Sequence, residues 1–362
     1  MNTFACKTKI ISGPGARRYL AGHKAGRVLL VTDHYFSQQG LAAEIAAMAG
    51  EEFEIFDQVM PDPSLALAAK GAAAVKAFQP DMVVALGGGS PMDCAKAMVY
   101  FSGLSPHLVA IPTTSGSGAE VTDFAILTHE EAKHPLVSEK LRPELAILDS
   151  DLLANLPKSL IADAGFDVLA HAVEAIVGKN AGPITDALAS HAFSTAFSLL
   201  PASYGGDPSV RLEVHMAATM AAMAFSQGGL GICHALSHSL GGQFHLPHGR
   251  LNAILLPAVI GINAQCAGEK YAGLARQAGI SGSAETLAVR NLKNALVRLR
   301  RELGLPATLS QAGVSPGDLR RNMQPIVAAA LADPCCQTNP VEPTAGMLES
   351  IVWEVAGHGR TA

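Results

Sequence analysis

The sequence predicts an α/β domain built on a parallel sheet, followed by an all-helical domain. Three observations predict it. In the first 150 residues short apolar runs alternate with helical stretches, two of those runs end in glycine-bearing loops, and beyond them the chain turns to long segments rich in Ala, Leu and Met with almost no strand-like run.

The elements follow in order. "RVLLVTD" reads as a strand, "LAAEIAAMAG" as a helix, "EFEIFDQV" as a strand, "LALAAKGAAAVKAF" as a helix, "DMVVALGGGS" as a strand and loop, "PMDCAKAMVYF" as a helix and "HLVAIPTT" as a strand. Strands alternating with helices of this length need crossover connections, which make the sheet parallel. Ligands of such sheets sit at the carboxyl ends of the strands. After "ELAILDSDLLANLP" the texture changes, so the boundary is expected near Pro157, giving domains 1–156 and 157–362. No internal repeat or low-complexity linker separates the halves, so they are expected to pack closely around a cleft.

Composition narrows the function classes. With 49% hydrophobic and 16% charged residues, a chain of 362 can bury a sizeable core. A net charge of −5 with no basic run gives no electrostatic footprint for nucleic acid or an anionic membrane. The first residues lack a signal-peptide profile and no stretch reaches about 18 uninterrupted apolar residues, so a soluble, cytoplasmic protein is expected. The 6 cysteines contain no C-x-x-C pair and are read as reduced thiols.

The first loop, "GGGSPMD", places Gly87, Gly88 and Gly89 after a strand and Ser90, Pro91 and Asp93 at the start of a helix. Ser90 is expected as N-cap, Pro91 at the first helical position, and Asp93 as the acidic partner of a capping box. Free backbone N–H groups beside glycines make a seat for a pyrophosphate. The second loop, "TTSGSGAE", offers the hydroxyls of Thr113, Thr114, Ser115 and Ser117, with Glu120 closing a second expected capping box from Ser117. Neither loop is a G-x-G-x-x-G fingerprint or a P-loop. Asp33, ending a strand, can accept from ribose hydroxyls and repels a 2′-phosphate.

Of the 13 histidines, 4 crowd into "GICHALSHSLGGQFHLPHG": His234, His238, His245 and His248. Upstream, Asp167 and His171 stand four apart on a helical stretch and share one face. A carboxylate and three imidazoles suit a divalent transition metal. Spacing alone does not choose among the four clustered histidines.

The motifs "GGGSPMDCAKA", "IPTTSGSGAEVT", "GFDVLAHAVEA" and "GLGICHALSHSLGGQFHLPHGRLNAILLP" together resemble the iron-containing, group III alcohol dehydrogenases, in order and over essentially the whole chain. Within the family, "AALADPCCQTNP" and the short length resemble the 1-propanol dehydrogenase branch associated with bacterial microcompartments. The resemblance implies a dehydroquinate synthase-like architecture, NAD(H) and Fe2+ as cofactors, with Zn2+ the alternative ion, and a homodimer. It implies Asp167, His171, His234 and His248 as metal ligands, and His238 beside substrate and nicotinamide. It also implies that residues 87–90 bind the pyrophosphate, that Thr113, Thr114 and Ser117 line the cofactor, that Lys133 reaches its ribose, and that Asp33 favours NAD. His245 receives no role and is read as structural.

The expected activity is therefore hydride transfer between NAD(H) and a short-chain primary alcohol or aldehyde, with His238 relaying the proton. Two other readings stand beside it. A lyase or synthase of the dehydroquinate synthase type needs basic residues for an anionic substrate, in which these motifs are poor, and a non-catalytic microcompartment protein has no need of an intact Asp/His set.

Overall fold

Alternate residues of one strand serve two cores: Leu29 and Val31 join one apolar cluster, Val28 and Leu30 another, all within about 1% of full burial. A strand buried on both faces belongs inside a parallel sheet covered by helices. The computed structural model describes residues 4–130 and 132–357. The chain divides into two compact units, Ala5–Leu156 and the residues from Pro157 on.

In the first unit the elements run β1 (Lys9–Ser12), β2 (Ala25–Asp33), α1 (His34–Gln38), α2 (Leu41–Ala49), β3 (Gly50–Val59), α3 (Leu65–Phe78), β4 (Met82–Gly87), α4 (Gly89–Ser102), β5 (His107–Pro112), β6 (Phe124–His129), β7 (Ala132–Val137) and β8 (Leu145–Leu148). Six of the strands form a parallel sheet in the order β1-β8-β5-β4-β2-β3. One core, with Val75, Phe78, Cys94 and Met98, covers one face; the other, with Leu20, Ile45 and Ala46, covers the opposite face. The chain steps from β2 outward to β3 and then returns past β2 to β4, so the order reverses between β2 and β4.

Four strands escaped the sequence reading, among them β8, four residues within the stretch where the texture changes. β1 is only four residues long at the sheet edge, and β6 and β7 form an antiparallel pair outside the main sheet. Pro135 interrupts the β7 pattern, and a two-stranded ribbon tolerates it because both strands are edges.

The second unit is helical: α5 (Lys158–Val177), α6 (Pro183–Gly205), α7 (Arg211–Gly228), α8 (Ile232–Phe244), α9 (His248–Gln277), α10 (Glu285–Glu302), α11 (Pro316–Ala332), α12 (Cys335–Thr338) and α13 (Ala345–Val355). α5 packs against α6, α7 and α9, and every residue from Gly165 to Val177 is buried. α9 has the length and hydropathy to cross a bilayer, but 67% of its apolar window is buried inside the protein. All six cysteines are free thiols.

Candidate metal and nucleotide sites

A helix buried on all sides has to satisfy any polar group it carries. Among those on α5 are Asp167, His171 and Glu174, at i, i+4 and i+7 on one face. α8 brings His234 and α9 opens on His248. Gly249 makes the approach of α9 to α5 feasible, because a Cβ there would stand 1.9 Å from the carbonyl oxygen of Asp163. From Asp167 Oδ1 the Nε2 atoms of His248, His234 and His171 lie at 3.4, 3.7 and 3.8 Å. Ligands about 2.1 Å from a tetrahedral ion stand about 3.4 Å apart. The ligand atoms of Asp167, His234 and His248 all lie within 4.8 Å of one another and could hold a divalent metal, with His171 beside Asp167 on the same helix face. One carboxylate oxygen with imidazole nitrogens suits iron(II) or zinc(II).

The electrostatics agree with a cation site. Burial alone raises the Asp167 carboxyl, yet the neighbouring imidazoles, His171 foremost and the hydrogen-bonded His234, hold it well below the usual carboxylate range. Burial lowers His234, but the flanking Asp167 and Glu174 carboxylates pull it up to about 9. His248 stays well below its ordinary value, through burial and the neighbouring imidazoles, and offers a lone pair.

Two members of this cluster were missed in the sequence. Glu174 is 1% exposed and accepts from the backbone N–H groups of Gly231 (3.0 Å) and Cys233 (2.7 Å) and from Nδ1 of His234 (2.6 Å). It caps α8, and it fixes His234 with the proton on Nδ1, so that Nε2 faces the Asp167 carboxylate. Asn252 donates from Nδ2 to Asp167 Oδ1 at 2.8 Å and accepts from Ser237 Oγ at 2.5 Å. The signal for both was the one that exposed Asp167 and His171: Glu174 lies three residues after His171 and Asn252 four after His248.

The remaining clustered histidines separate from the ligand set. His238 stacks on His248 with ring centroids 5.0 Å apart, and its Nδ1 bonds Asp333 Oδ2 at 2.8 Å. His245 is the left-handed C-cap of α8, its N–H bonded to Gly241 O, in keeping with the structural reading.

In the first unit the expected nucleotide residues stand at the carboxyl ends of adjacent strands: Asp33 on β2, Gly87, Gly88 and Gly89 at β4, and Thr113, Thr114 and Ser117 beyond β5. The reversal of strand order between β2 and β4 is where such sheets bind ligands. Thr113 N–H bonds Gly87 O at 2.9 Å, tying the two loops. A Cβ on Gly88 would stand 3.3 Å from Thr114 Oγ1, and one on Gly89 3.3 Å from Ser117, so bare backbone keeps the two loops from crowding each other.

Both expected capping boxes are corrected. α4 begins two residues earlier than expected, with Gly88 as N-cap and no side-chain cap, so Ser90 and Pro91 lie inside the first turn. Asp93 instead turns to the β6 ribbon: its carboxyl, raised to about 6 by burial and partly offset by Lys96, takes the Ile126 amide. Nor does Ser117 open a helix with Glu120, since residues 113–123 form an irregular loop before β6. A buried lysine shapes that loop. Lys96 Nζ donates to Thr122 O (3.0 Å), Thr122 Oγ1 (3.0 Å) and Phe124 O (2.9 Å), an arrangement no local pattern announced. Asp33 caps α1 through Oδ1, accepting from Tyr35 N–H at 3.0 Å. Lys133, on β7, is engaged by Asp62 at 2.7 Å.

Comparison with known proteins places these features in one family. Residues 7–150 match the iron-containing alcohol dehydrogenases, and residues 161–354 match the C-terminal part of the Fe-containing alcohol dehydrogenase family. The chain is 37% identical to 1-propanol dehydrogenase PduQ of Salmonella typhimurium over 98% of its own length and 100% of the relative's. An iron-containing alcohol dehydrogenase from Thermococcus thioreducens is similar in structure, with a TM-score of 0.90 and 32% identity over 98% of this chain and 99% of that one. Sulfoacetaldehyde reductase from Bifidobacterium kashiwanohense, solved with NAD+, superposes with a TM-score of 0.88 at 25% identity, over 99% of both chains. With both of its units matched from end to end, this chain belongs to the iron-containing alcohol dehydrogenase family.

Proposed function

We propose that the protein transfers a hydride between NAD(H) and a short, uncharged primary alcohol or aldehyde, with an Fe2+ ion held by Asp167, His171, His234 and His248. The convergence of three imidazoles on one carboxylate oxygen, at 3.4 to 3.8 Å, carries this reading. The first unit, in this proposal, binds NAD and the second binds metal and substrate. When bound, the ion supplies Lewis acidity for the substrate oxygen and the nicotinamide carries the hydride. The N–H groups of residues 87–90 hold the pyrophosphate, and Thr113, Thr114 and Ser117 line the cofactor. Lys133 reaches the ribose only by leaving Asp62. His238 relays the alcohol proton. Zn2+ competes for the same ligands, standing higher in affinity order. The likeness to 1-propanol dehydrogenase supports a place in the microcompartment-associated branch.

The substrate class follows from what surrounds the metal ligands. The Phe225 ring packs against His171 at 4.4 Å between centroids, and "MAAMAFSQGGLGICH" offers no cation for a carboxylate or phosphate. An apolar pocket separates chain lengths by only about 1–3 kcal/mol per methylene, so specificity is broad. Steady-state NADH oxidation tests this. The iron-loaded protein should reduce propionaldehyde and butyraldehyde, the chelated protein should not, and Fe2+ should restore turnover. A carboxylated or phosphorylated aldehyde reduced tenfold better than propionaldehyde would refute the substrate assignment.

Cofactor choice has its own test. Asp33 ends β2 with no Arg or Lys in "VTDHYFSQQ" to compensate a 2′-phosphate, so NAD(H) should be preferred. Asp33→Gly should shift the ratio of kcat/KM values at least about tenfold toward NADP(H), the effect of removing about 1.4 kcal/mol of repulsion. Glycine remains an acceptable N-cap for α1, so the shift reports charge rather than unfolding. An unchanged ratio removes Asp33 from cofactor selection.

A further inference from the structure

His238 and Asp333 lie 95 residues apart in sequence, yet Nδ1 of one meets Oδ2 of the other at 2.8 Å. Their side chains are 23% and 16% exposed, so water screens the contact little. An ionised carboxylate only accepts, which puts the ring proton on Nδ1 and leaves Nε2 as the basic nitrogen. Burial alone raises the Asp333 carboxyl, but His238 and the Cys335 amide hold it at about 2, so it is ionised. Its second oxygen is also fixed, accepting the Cys335 N–H at 2.8 Å.

The segment that carries Asp333 is stitched to the start of α8, the helix that carries His238. Thr338 Oγ1 donates to Leu230 O at 2.6 Å, and Asn339 Oδ1 accepts from Ile232 N–H at 3.3 Å and from Asn263 Nδ2 at 2.9 Å. The carboxylate therefore stands on a support braced against the same helix, rather than on a free loop end. On the other side, the ring stacks on His248 with 15° between planes. Held at Nδ1 and along one face, the imidazole has one orientation.

We propose that Asp333 is the positioning residue of this reaction: it fixes the tautomer and rotation of His238, so that Nε2 is the nitrogen that takes and returns the substrate proton. This rests on the relay role given above to His238. Asn at 333 cannot replace the carboxylate, because two N–H donors converge on it and an amide offers one acceptor oxygen and one NH2 group.

The test is a double-mutant cycle on the iron-loaded enzyme, with metal content, NADH affinity and thermal midpoint measured for each protein. Asp333→Asn should keep one metal per chain, leave KM for aldehyde and NADH affinity within about twofold, and lower kcat about 10–100-fold, as loss of an orienting partner does. Asp333→Glu should regain part of that loss. In a His238→Asn background Asp333→Asn should change kcat no further. Should Asp333→Asn fail to fold, Asp333→Ser carries the same cycle. Wild-type kcat in Asp333→Asn, beside a large loss in His238→Asn, overturns the positioning role while the relay stands. An equal further loss in both backgrounds shows that Asp333 acts elsewhere and also overturns it. Unchanged kcat in His238→Asn defeats the relay itself, and the inference with it.

Discussion

Replacing His238 with Asn should lower kcat about 10²–10⁴-fold, the usual worth of a positioned acid–base group, while the protein still binds one metal ion per chain. In the proposed site Asp167, His171, His234 and His248 are the four ligands, the three imidazoles standing 3.4 to 3.8 Å from Asp167 Oδ1. His238 stands one helical turn beyond His234, with the ring centroids 6.2 Å apart, and its Nδ1 is committed to Asp333. It is adjacent to the ligand set without belonging to it. Metal analysis and kinetics on one preparation decide the matter: lost metal would make His238 a ligand, and unchanged kcat would make it structural.

The second large effect lies outside the ligand set. Glu174→Gln should weaken metal binding about 10–100-fold, measured by competition with a chelator of known affinity, and should lower the thermal midpoint of the metal-free protein. A glutamine amide meets donors at Gly231, Cys233 and His234 with one oxygen, so at least one buried N–H loses its partner, at a cost of about 1–3 kcal/mol. The His234 ring is then free to turn or change tautomer, and Nε2 no longer presents its lone pair dependably. Full metal affinity in Glu174→Gln would show that His234 is held by packing alone, against the stacked rings of His171 at 4.6 Å.

Local patterning was enough for the central elements and for residues that share one helix or one strand end. The strands β2, β4 and β5 read as apolar runs because both of their faces are buried, the exposed edge strand β3 as a mixed run of charged and apolar residues, and the helices between them as amphipathic or alanine-rich stretches. The i, i+4 pairs Asp167–His171 and His234–His238 were visible because helical geometry alone puts such residues on one face. Extending the same rule by one turn would have added Glu174 and Asn252. Helix starts were less legible. Ser90 and Ser117 have the side chains of caps, but Gly88 takes the cap of α4, and the loop after Ser117 is shaped by Lys96 reaching Thr122 and Phe124 from beneath.

By itself, then, the sequence determined a parallel α/β unit, a helical unit, and the short-range groupings of glycine, hydroxyl, carboxylate and imidazole that mark each site. Only the tertiary structure decided which histidines meet Asp167, that His245 merely ends a helix, and that Glu174 and Asp333 each hold one imidazole by Nδ1. The reason is the range over which each constraint acts. Backbone periodicity relates residues within a turn or two of one another, whereas the pairing of Glu174 with His234 across 60 residues and of Asp333 with His238 across 95 depends on how whole helices pack, which no local spacing encodes.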